Sequence, residues 1–187
     1  MNHALFLGCG NDRRRKVRRE TEPETYPDDW KVYTVDIDPN CGATCVFDMD
    51  ELFDDYEGGH IPGLPFLTEF DEINAFDSLE HWSRQGDFRF WFREMEYYYQ
   101  LLKPGGAFNA LVPIGEDAFN DPGHTRFFSL AHFLFLTESF YEVNKGKAIT
   151  DYRWLIKHFW EINILETIGN HHIAVRLIKP EINDGIY

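Results

Sequence analysis

The chain is poor in cysteine and in positive charge. Its three cysteines, Cys9, Cys41 and Cys45, are an odd set without framework spacing, which argues against a disulfide-stapled secreted scaffold and for a reducing, cytoplasmic setting. Lys and Arg total 18 against 32 Asp and Glu, a net charge of -14. Binding a long polyanion needs basic residues clustered over a surface, so a long nucleic-acid partner is not expected. No stretch approaches the ~20 apolar residues of a membrane span. No apolar h-region opens the chain, so a soluble protein is expected, with no membrane association. Internal repeats and low-complexity segments are absent. With 187 residues, one domain spanning 1–187 is expected, large enough to bury a sheet-centred core.

Aromatic residues, by contrast, are abundant: five Trp, nine Tyr and 17 Phe. Most are expected to build the core, and some to line a pocket or subunit contact. The positive charge is concentrated in one place, because Arg13, Arg14, Arg15, Lys16, Arg18 and Arg19 supply six of the 18 basic residues. Such a run is ordinarily a solvated, mobile segment; the sharper reading is an anion or phosphate site.

The chain is organised around Ala4 to Gly10. ALFL has the length of a buried strand, and Gly8-Cys9-Gly10 ends it with a turn that lets the backbone approach a ligand closely. A second apolar run, Lys31 to Val35, leads to Asp36, a carboxylate able to accept both hydroxyls of a ribose held over the glycines. Ala43 to Phe47 predicts a third strand, closed by Asp48 as Asp36 closes the second. Between them, Asn11 to Asp29 is polar and holds Pro23 and Pro27, so a short helix over the basic run and then a loose loop are expected. Glu51 to Thr68, rich in Gly and Pro, reads as loop around a brief helical piece.

Glu72 to Phe76 predicts a fourth strand. Phe88, Phe92, Met95, Tyr99 and Leu102 then recur at steps of four and three, the stripe of an amphipathic helix over 88–102. Phe90, Trp91, Tyr97 and Tyr98 lie off that stripe, so a helix covered on two sides is expected, and a homodimer through it is one expectation. Pro104-Gly105-Gly106 stops it before a fifth strand, Ala107 to Val112. Ile114 to His124 reads as loop and Arg126 to Leu136 as helix. KHFWEINILETIG and HHIAVRLIKP, separated at Gly169-Asn170, predict an antiparallel hairpin, followed by a frayed tail from Glu181.

In an open α/β sheet, ligands bind beyond the carboxyl ends of the strands. Gly8, Gly10, Asp36, Asp48, Phe76, Asp77 and the loop to His124 all fall at such ends. His124 stands beside Asp121 and Arg126 on the side where a substrate is expected, and imidazole is a side-chain type suited to proton abstraction near neutral pH, which makes it the candidate catalytic residue. Glu80-His81 at a helix start reads as structural at least as readily as catalytic. No metal site is expected. His171-His172 lacks an acid or Cys cluster at ligand spacing, and Cys41-x3-Cys45 has Asp48 where a third cluster cysteine would stand.

LFLGCGN, VYTVDIDPN, CVFDMDE, FDEINAFDSLEHW, YYYQLLKPGGAFNALVP and DPGHTRFF, in that order and spacing, resemble the motifs of class I S-adenosylmethionine-dependent methyltransferases, from about Ala4 to Phe128. Within that superfamily the chain looks most like a small group of predicted S-adenosylmethionine-dependent methyltransferases. The resemblance implies a three-layer Rossmann-like α/β sheet of order 3-2-1-4-5-7-6 whose strand seven is antiparallel. It implies S-adenosylmethionine as cofactor. Gly8, Cys9 and Gly10 would pass their backbone beside the methionine part, and Asp36 would hold the ribose. Ile37 would lie on the adenine, Asp48 would accept from its amino group, and the Met49 amide would point at the ring. Phe76 and Asp77 would close the pocket near the sulfonium.

The sequence departs from that pattern in places. Phe6 stands where an acid is frequent, Asp12 where a third glycine is frequent, and Arg13 to Arg19 replace a small, apolar helix start. The chain opens directly on strand one, so the helix that often precedes it is expected to be absent. The acceptor is expected to be a small molecule or a protein side chain. Two other readings stay open: a non-catalytic partner protein that retains the fold, and a nucleotide- or NADP-binding enzyme using Arg13 to Arg15 on a phosphate.

Overall fold

Seven apolar runs pair into one sheet: β1 (Asn2–Leu7), β2 (Trp30–Asp36), β3 (Cys45–Val46), β4 (Phe70–Phe76), β5 (Leu102–Pro113), β6 (Glu161–Ile168) and β7 (His172–Ile178). The structure, a computed structural model, describes residues 1–53, 61–64 and 70–181. Most of the stretch expected to be loop between Glu51 and Thr68, and the tail after Glu181, lie outside the described residues. The strand order is β3-β2-β1-β4-β5-β7-β6. Neighbours are parallel except where β7 meets β5 and β6, so β7 alone runs against the others. The chain leaves β1 towards β2 and β3, then crosses back to β4. The carboxyl ends of β1 and β4 therefore flank the point where the winding reverses, the position at which such sheets bind ligands.

Alternation along the strands separates two faces. Leu5, Leu7, Ile73, Ala75, Phe108, Ala110, Val112, Ile173 and Val175 point to one side and share a core with α1 (Phe88–Leu101) through Trp91, Phe92, Met95 and Tyr98. Each fully buried Leu, Ile, Val, Phe or Met among them contributes on the order of 1.5–3 kcal/mol. Asp87 caps α1 by accepting from the Phe90 amide at 3.0 Å. The rings off the amphipathic stripe are used within the chain: Trp91 packs on Phe128 and Phe133, and Phe90 and Tyr97 pack on Phe53.

The second face is polar at its centre. Glu72 and Asn74 of β4, Asn109 of β5 and Arg176 of β7 are all at most 5% exposed. A burial of this kind is tolerable only when the groups are partnered, and among the buried atoms of these four side chains only Arg176 Nε lacks a hydrogen-bond partner. The partners come from residues 11–29, which cross this face as irregular chain. Arg15 Nε donates to Glu72 at 3.0 Å, its guanidinium lying 3.8 Å from the centre of the Tyr26 ring. The Tyr26 hydroxyl donates to Glu72 and accepts from Asn74 Nδ2 at 2.8 Å. Asn109 Nδ2 donates to Asn74 Oδ1, and Arg176 bridges Asn109 to Glu22 with three contacts of 3.1 Å.

This arrangement corrects two expectations. No helix forms over the basic run, because the sheet beneath offers carboxylates instead of an apolar groove, and Arg15 and Lys16 are drawn onto Glu72 and Asp77. Nor is the run a free solvated arm, since Arg15 is 5% and Val17 3% exposed. The third layer is coil.

Three boundaries also differ. β3 is two residues long because Thr34 and Thr44 exchange side-chain bonds, each amide donating to the other's hydroxyl at 3.2 and 2.8 Å, where a backbone ladder was expected. β5 starts at Leu102. Its Lys103–Gly106 segment bulges out, and Gly106 has no room for a side chain, a Cβ there falling 2.9 Å from the Lys103 carbonyl oxygen. The helix expected over Arg126 to Leu136 shrinks to α3 (Leu130–Leu134), with α2 (Asp117–Asn120) before it and α4 (Glu138–Val143) after it. Residues 125–128 are held outside any helix: the Thr125 and Arg126 amides both donate to the Glu80 carbonyl, at 2.7 and 3.1 Å.

Candidate functional site

The turn after β1 is built by Gly8 at φ +59° and Gly10 at φ +47°, the left-handed region that glycine enters without strain. A Cβ on Gly8 would fall 2.5 Å from Ser78 Cβ, whereas one on Gly10 would meet nothing within 4 Å. Gly8 is thus demanded by packing against the turn after β4, and Gly10 leaves open space in front of the sheet. Asp36 fixes this turn. Its Oδ2 accepts the Gly10 amide at 2.7 Å and its Oδ1 accepts the Asp38 amide at 2.9 Å. A carboxylate has about four acceptor positions, so two remain for a ligand.

A cavity of about 270 Å³ opens at this point, lined by Gly8, Gly10, Asp36, Ile37, Phe47, Asp48, Met49, Asp77, Ser78, His81 and Trp82. Seven of the residues singled out from the sequence meet here: Gly8, Gly10, Asp36, Ile37, Asp48, Met49 and Asp77. Ile37 is 64% exposed, a large apolar side chain waiting beside the opening. Three carboxylates line the cavity, and none of the described lining residues is Lys or Arg. Cys9 and Phe76 are not among the lining residues, although the Cys9 backbone runs between the two lining glycines. Both are buried in the second-face cluster with Phe6 and Val17, and burial, with Cys41 and Asp36 nearby, pushes the Cys9 thiol up to about 11.

Sequence reasoning missed Phe47, Ser78 and Trp82 as lining residues. Trp82 is held by α1, its indole N–H donating to Glu94, which also accepts from the Tyr98 hydroxyl at 2.8 Å and pairs with Arg126 at 2.8 Å. The W of DSLEHW was the signal available for it.

Asp77 is the hinge between this cavity and the next. It adopts φ +51°, receives Lys16 Nζ on Oδ2 at 2.8 Å, and stands 3.1 Å from His172 Nε2. A second hollow, about 460 Å³, continues beyond it and shares Asp77 and His81. Its other walls are Glu80, Pro113, Asp117, Asn120, Asp121, Pro122, His124 and His172. His124 is therefore on the far side of Asp77 from the glycine turn. Its Nδ1 lies 2.9 Å from the Ala118 carbonyl oxygen, and its Nε2 3.9 Å from Glu80 Oε1.

Glu80 is 1% exposed, and neither of its oxygens has a hydrogen-bond partner. Burial pushes its carboxyl up to about 8. Its own amide and Arg126 pull the other way, the amide without hydrogen-bonding geometry, while Asp77 and Asp121 reinforce the rise. Perturbed carboxyls of this kind in a cleft mark candidate functional positions. The Glu80-His81 pair, read from the sequence as a helix start, forms a single 3-10 turn at Leu79–His81 that faces both hollows.

The basic run does not supply a phosphate cradle. Arg13 donates to the Gly42 carbonyl at 2.8 Å, Arg14 pairs with Asp12 at 2.9 Å, Arg15 is buried on Glu72 and Lys16 is on Asp77.

Neither a family model nor a curated protein matches the chain. Solved structures do. A chain from the Haloferax volcanii complex of the Trm112 methyltransferase activator with a candidate methyltransferase superposes at a TM-score of 0.52, with 14% identity, over 96% of this chain and 83% of that one. The N-methyltransferase NodS from Bradyrhizobium japonicum WM9 superposes at 0.50, with 12% identity, over 96% of this chain and 86% of that one. The likeness is one of fold. Together with the strand order and the lone antiparallel strand, it makes this the class I methyltransferase fold.

Proposed function

We propose that the chain binds S-adenosylmethionine in the 270 Å³ cavity and transfers its methyl group to an acceptor held in the adjoining hollow. The observation that carries this reading is the Gly10–Asp36 contact of 2.7 Å, which draws the glycine turn and the strand-end carboxylate together at the winding reversal, with Ile37, Asp48 and Met49 on the same wall.

The residues fit such a cofactor. The free acceptor positions of Asp36 suit a pair of ribose hydroxyls, the exposed Ile37 suits one face of an adenine, and Asp48 with the Met49 amide supplies an acceptor and a donor at its edge. Gly8 and Gly10 leave the backbone bare beside the methionine portion. The charge balance separates this cofactor from a dinucleotide: three carboxylates attract a sulfonium and its ammonium and repel a pyrophosphate, and every arginine from 13 to 15 is already engaged elsewhere.

When bound, the cofactor supplies an activated methyl carbon open to in-line displacement. The protein's part is then positioning and exclusion of water. Asp77, shared by both hollows and clamped by Lys16 and His172, sets the boundary across which the methyl group passes. A chamber of about 460 Å³ suits a small molecule or a single protein side chain.

Isothermal titration with S-adenosylmethionine and with its demethylated product tests the reading. Heat of one-to-one binding, abolished in Asp36→Ala, is the expected result. Absence of heat with either ligand, well above typical cofactor affinities, overturns it.

A further inference from the structure

In the second hollow the His124 ring and the buried Glu80 carboxyl stand close without a hydrogen bond between them. His124 Nδ1 lies 2.9 Å from the Ala118 carbonyl oxygen, and a carbonyl can only accept, so in the neutral ring the proton belongs on Nδ1 and the Nε2 lone pair points away from it. That lone pair stands 3.9 Å from Glu80 Oε1, too far for a hydrogen bond. Both Glu80 oxygens are buried and unpartnered, a condition native proteins rarely leave unanswered. His81 completes the group: one ligand atom from each of Glu80, His81 and His124 lies within 4.8 Å of the others.

We propose that Glu80, His81 and His124 form a binding site for one divalent transition-metal ion of the zinc type, with an open coordination position towards the 460 Å³ hollow. Two imidazoles and one carboxylate are a borderline donor set that suits zinc and its first-row neighbours better than magnesium or calcium, which take all-oxygen ligands. Bonds of ~2.0–2.2 Å to a shared ion put adjacent ligand atoms roughly 3–3.5 Å apart, so 3.9 Å between Nε2 and Oε1 closes with a small rotation.

The supporting groups are in place. The Ala118 carbonyl orients the His124 ring as outer partners orient metal-bound imidazoles. The loop carrying His124 is tied to the turn carrying the other two ligands by the Thr125 amide, the Thr125 hydroxyl and the Arg126 amide, all donating to the Glu80 carbonyl. Gly123 gives the His81 ring its place, since a Cβ there would fall 3.2 Å from His81 Nδ1. The metal site stands on these contacts alone. Its use rests on the methyl-transfer reading: an acceptor bearing a hydroxyl or amine would take the open position, and His124 would act as a ligand where the sequence suggested a proton acceptor.

The test uses the full chain, dialysed against a chelator and titrated with zinc chloride alone. One ion per chain is expected, with affinity weakened roughly 100-fold in His81→Asn and in His124→Asn. Cobalt should give ligand-field bands in the visible that both variants lose. His81 is exposed, so its variant folds irrespective of what Glu80→Gln does, and a thermal melt checks this. No zinc heat, a preference for magnesium, or zinc binding unchanged in the two histidine variants overturns the proposal. Zinc binding without binding of the demethylated cofactor sinks the methyltransferase reading alone, and the converse sinks the metal site alone.

Discussion

Arg126 reaches the Glu94 carboxylate at 2.8 Å, with both side chains at most 6% exposed, and so ties the loop bearing His124 to the helix that holds Trp82. Stranding one member of a buried pair costs about 3–5 kcal/mol, more than the pair itself contributes. Arg126→Met and Glu94→Gln should each lower the melting temperature by roughly 10 °C, at ~2–4 °C per kcal/mol for a chain of this size. Calorimetry on both variants checks it. A loss no larger than that from breaking the exposed Arg153–Asp151 pair would contradict it.

The two glycines of the β1 turn should separate stability from binding. Gly8→Ala drives a Cβ into Ser78 at 2.5 Å and should destabilise by about 2 kcal/mol or more. Gly10→Ala meets no atom within 4 Å, so only the strain of its positive φ remains, roughly 1 kcal/mol. Its effect should appear instead as weaker cofactor binding. Equal stability losses in a urea titration of the two variants would remove the distinction.

Neighbouring arginines should behave differently. Arg15→Ala removes the cation hydrogen-bonded to buried Glu72, leaving it only the more distant Arg176 at 3.8 Å, and should cost about 3 kcal/mol. Arg14→Ala breaks only a pair in water and should melt with the parent. If both variants melt alike, the basic run is not the sheet cover described above.

The Cys9 thiol, raised to about 11 by burial and by Cys41 and Asp36, is neutral at pH 8. Thiolate is the reacting form, so its fraction falls about tenfold for each pH unit below the pKa. Alkylation of native Cys9 should therefore keep accelerating above pH 9, and at pH 8 it should be at least ~100-fold slower than in the urea-unfolded chain. Mass-spectrometric mapping of the labelled cysteine reads this. A plateau below pH 9 would show a thiol with no such penalty.

The sheet was legible because its signals are local. Apolar runs ended by Gly8-Cys9-Gly10, Asp36 and Gly169-Asn170 mark strands and turns whatever surrounds them, and the family motifs supplied the strand order. The polar face was not legible. Nothing near Arg15 in sequence says that its partner is Glu72, 57 residues away, and a run of arginines has the same composition whether docked or solvated. Arg126 to Leu136 reads as helix by content, yet Arg126 is engaged with Glu94 and Leu79, which keeps its segment out of the helix. At the site, the glycines and strand-end acids could be named in advance. Glu80 could be named with His81 but not given a role, because its distinction lies in being buried without a partner, and burial is settled by the whole fold.

Arg176, in the last strand, supplies both contacts to Glu22 at 3.1 Å across 154 residues of chain. A nascent chain emerging in order therefore carries its early coil past the whole sheet before that anchor is synthesised. Until β7 slots between β5 and β6, Asn109 also lacks its arginine, and the polar floor of the sheet stays open to water. A chain stalled before residue 172 is therefore expected to hold residues 11–29 less firmly and to expose them to a protease.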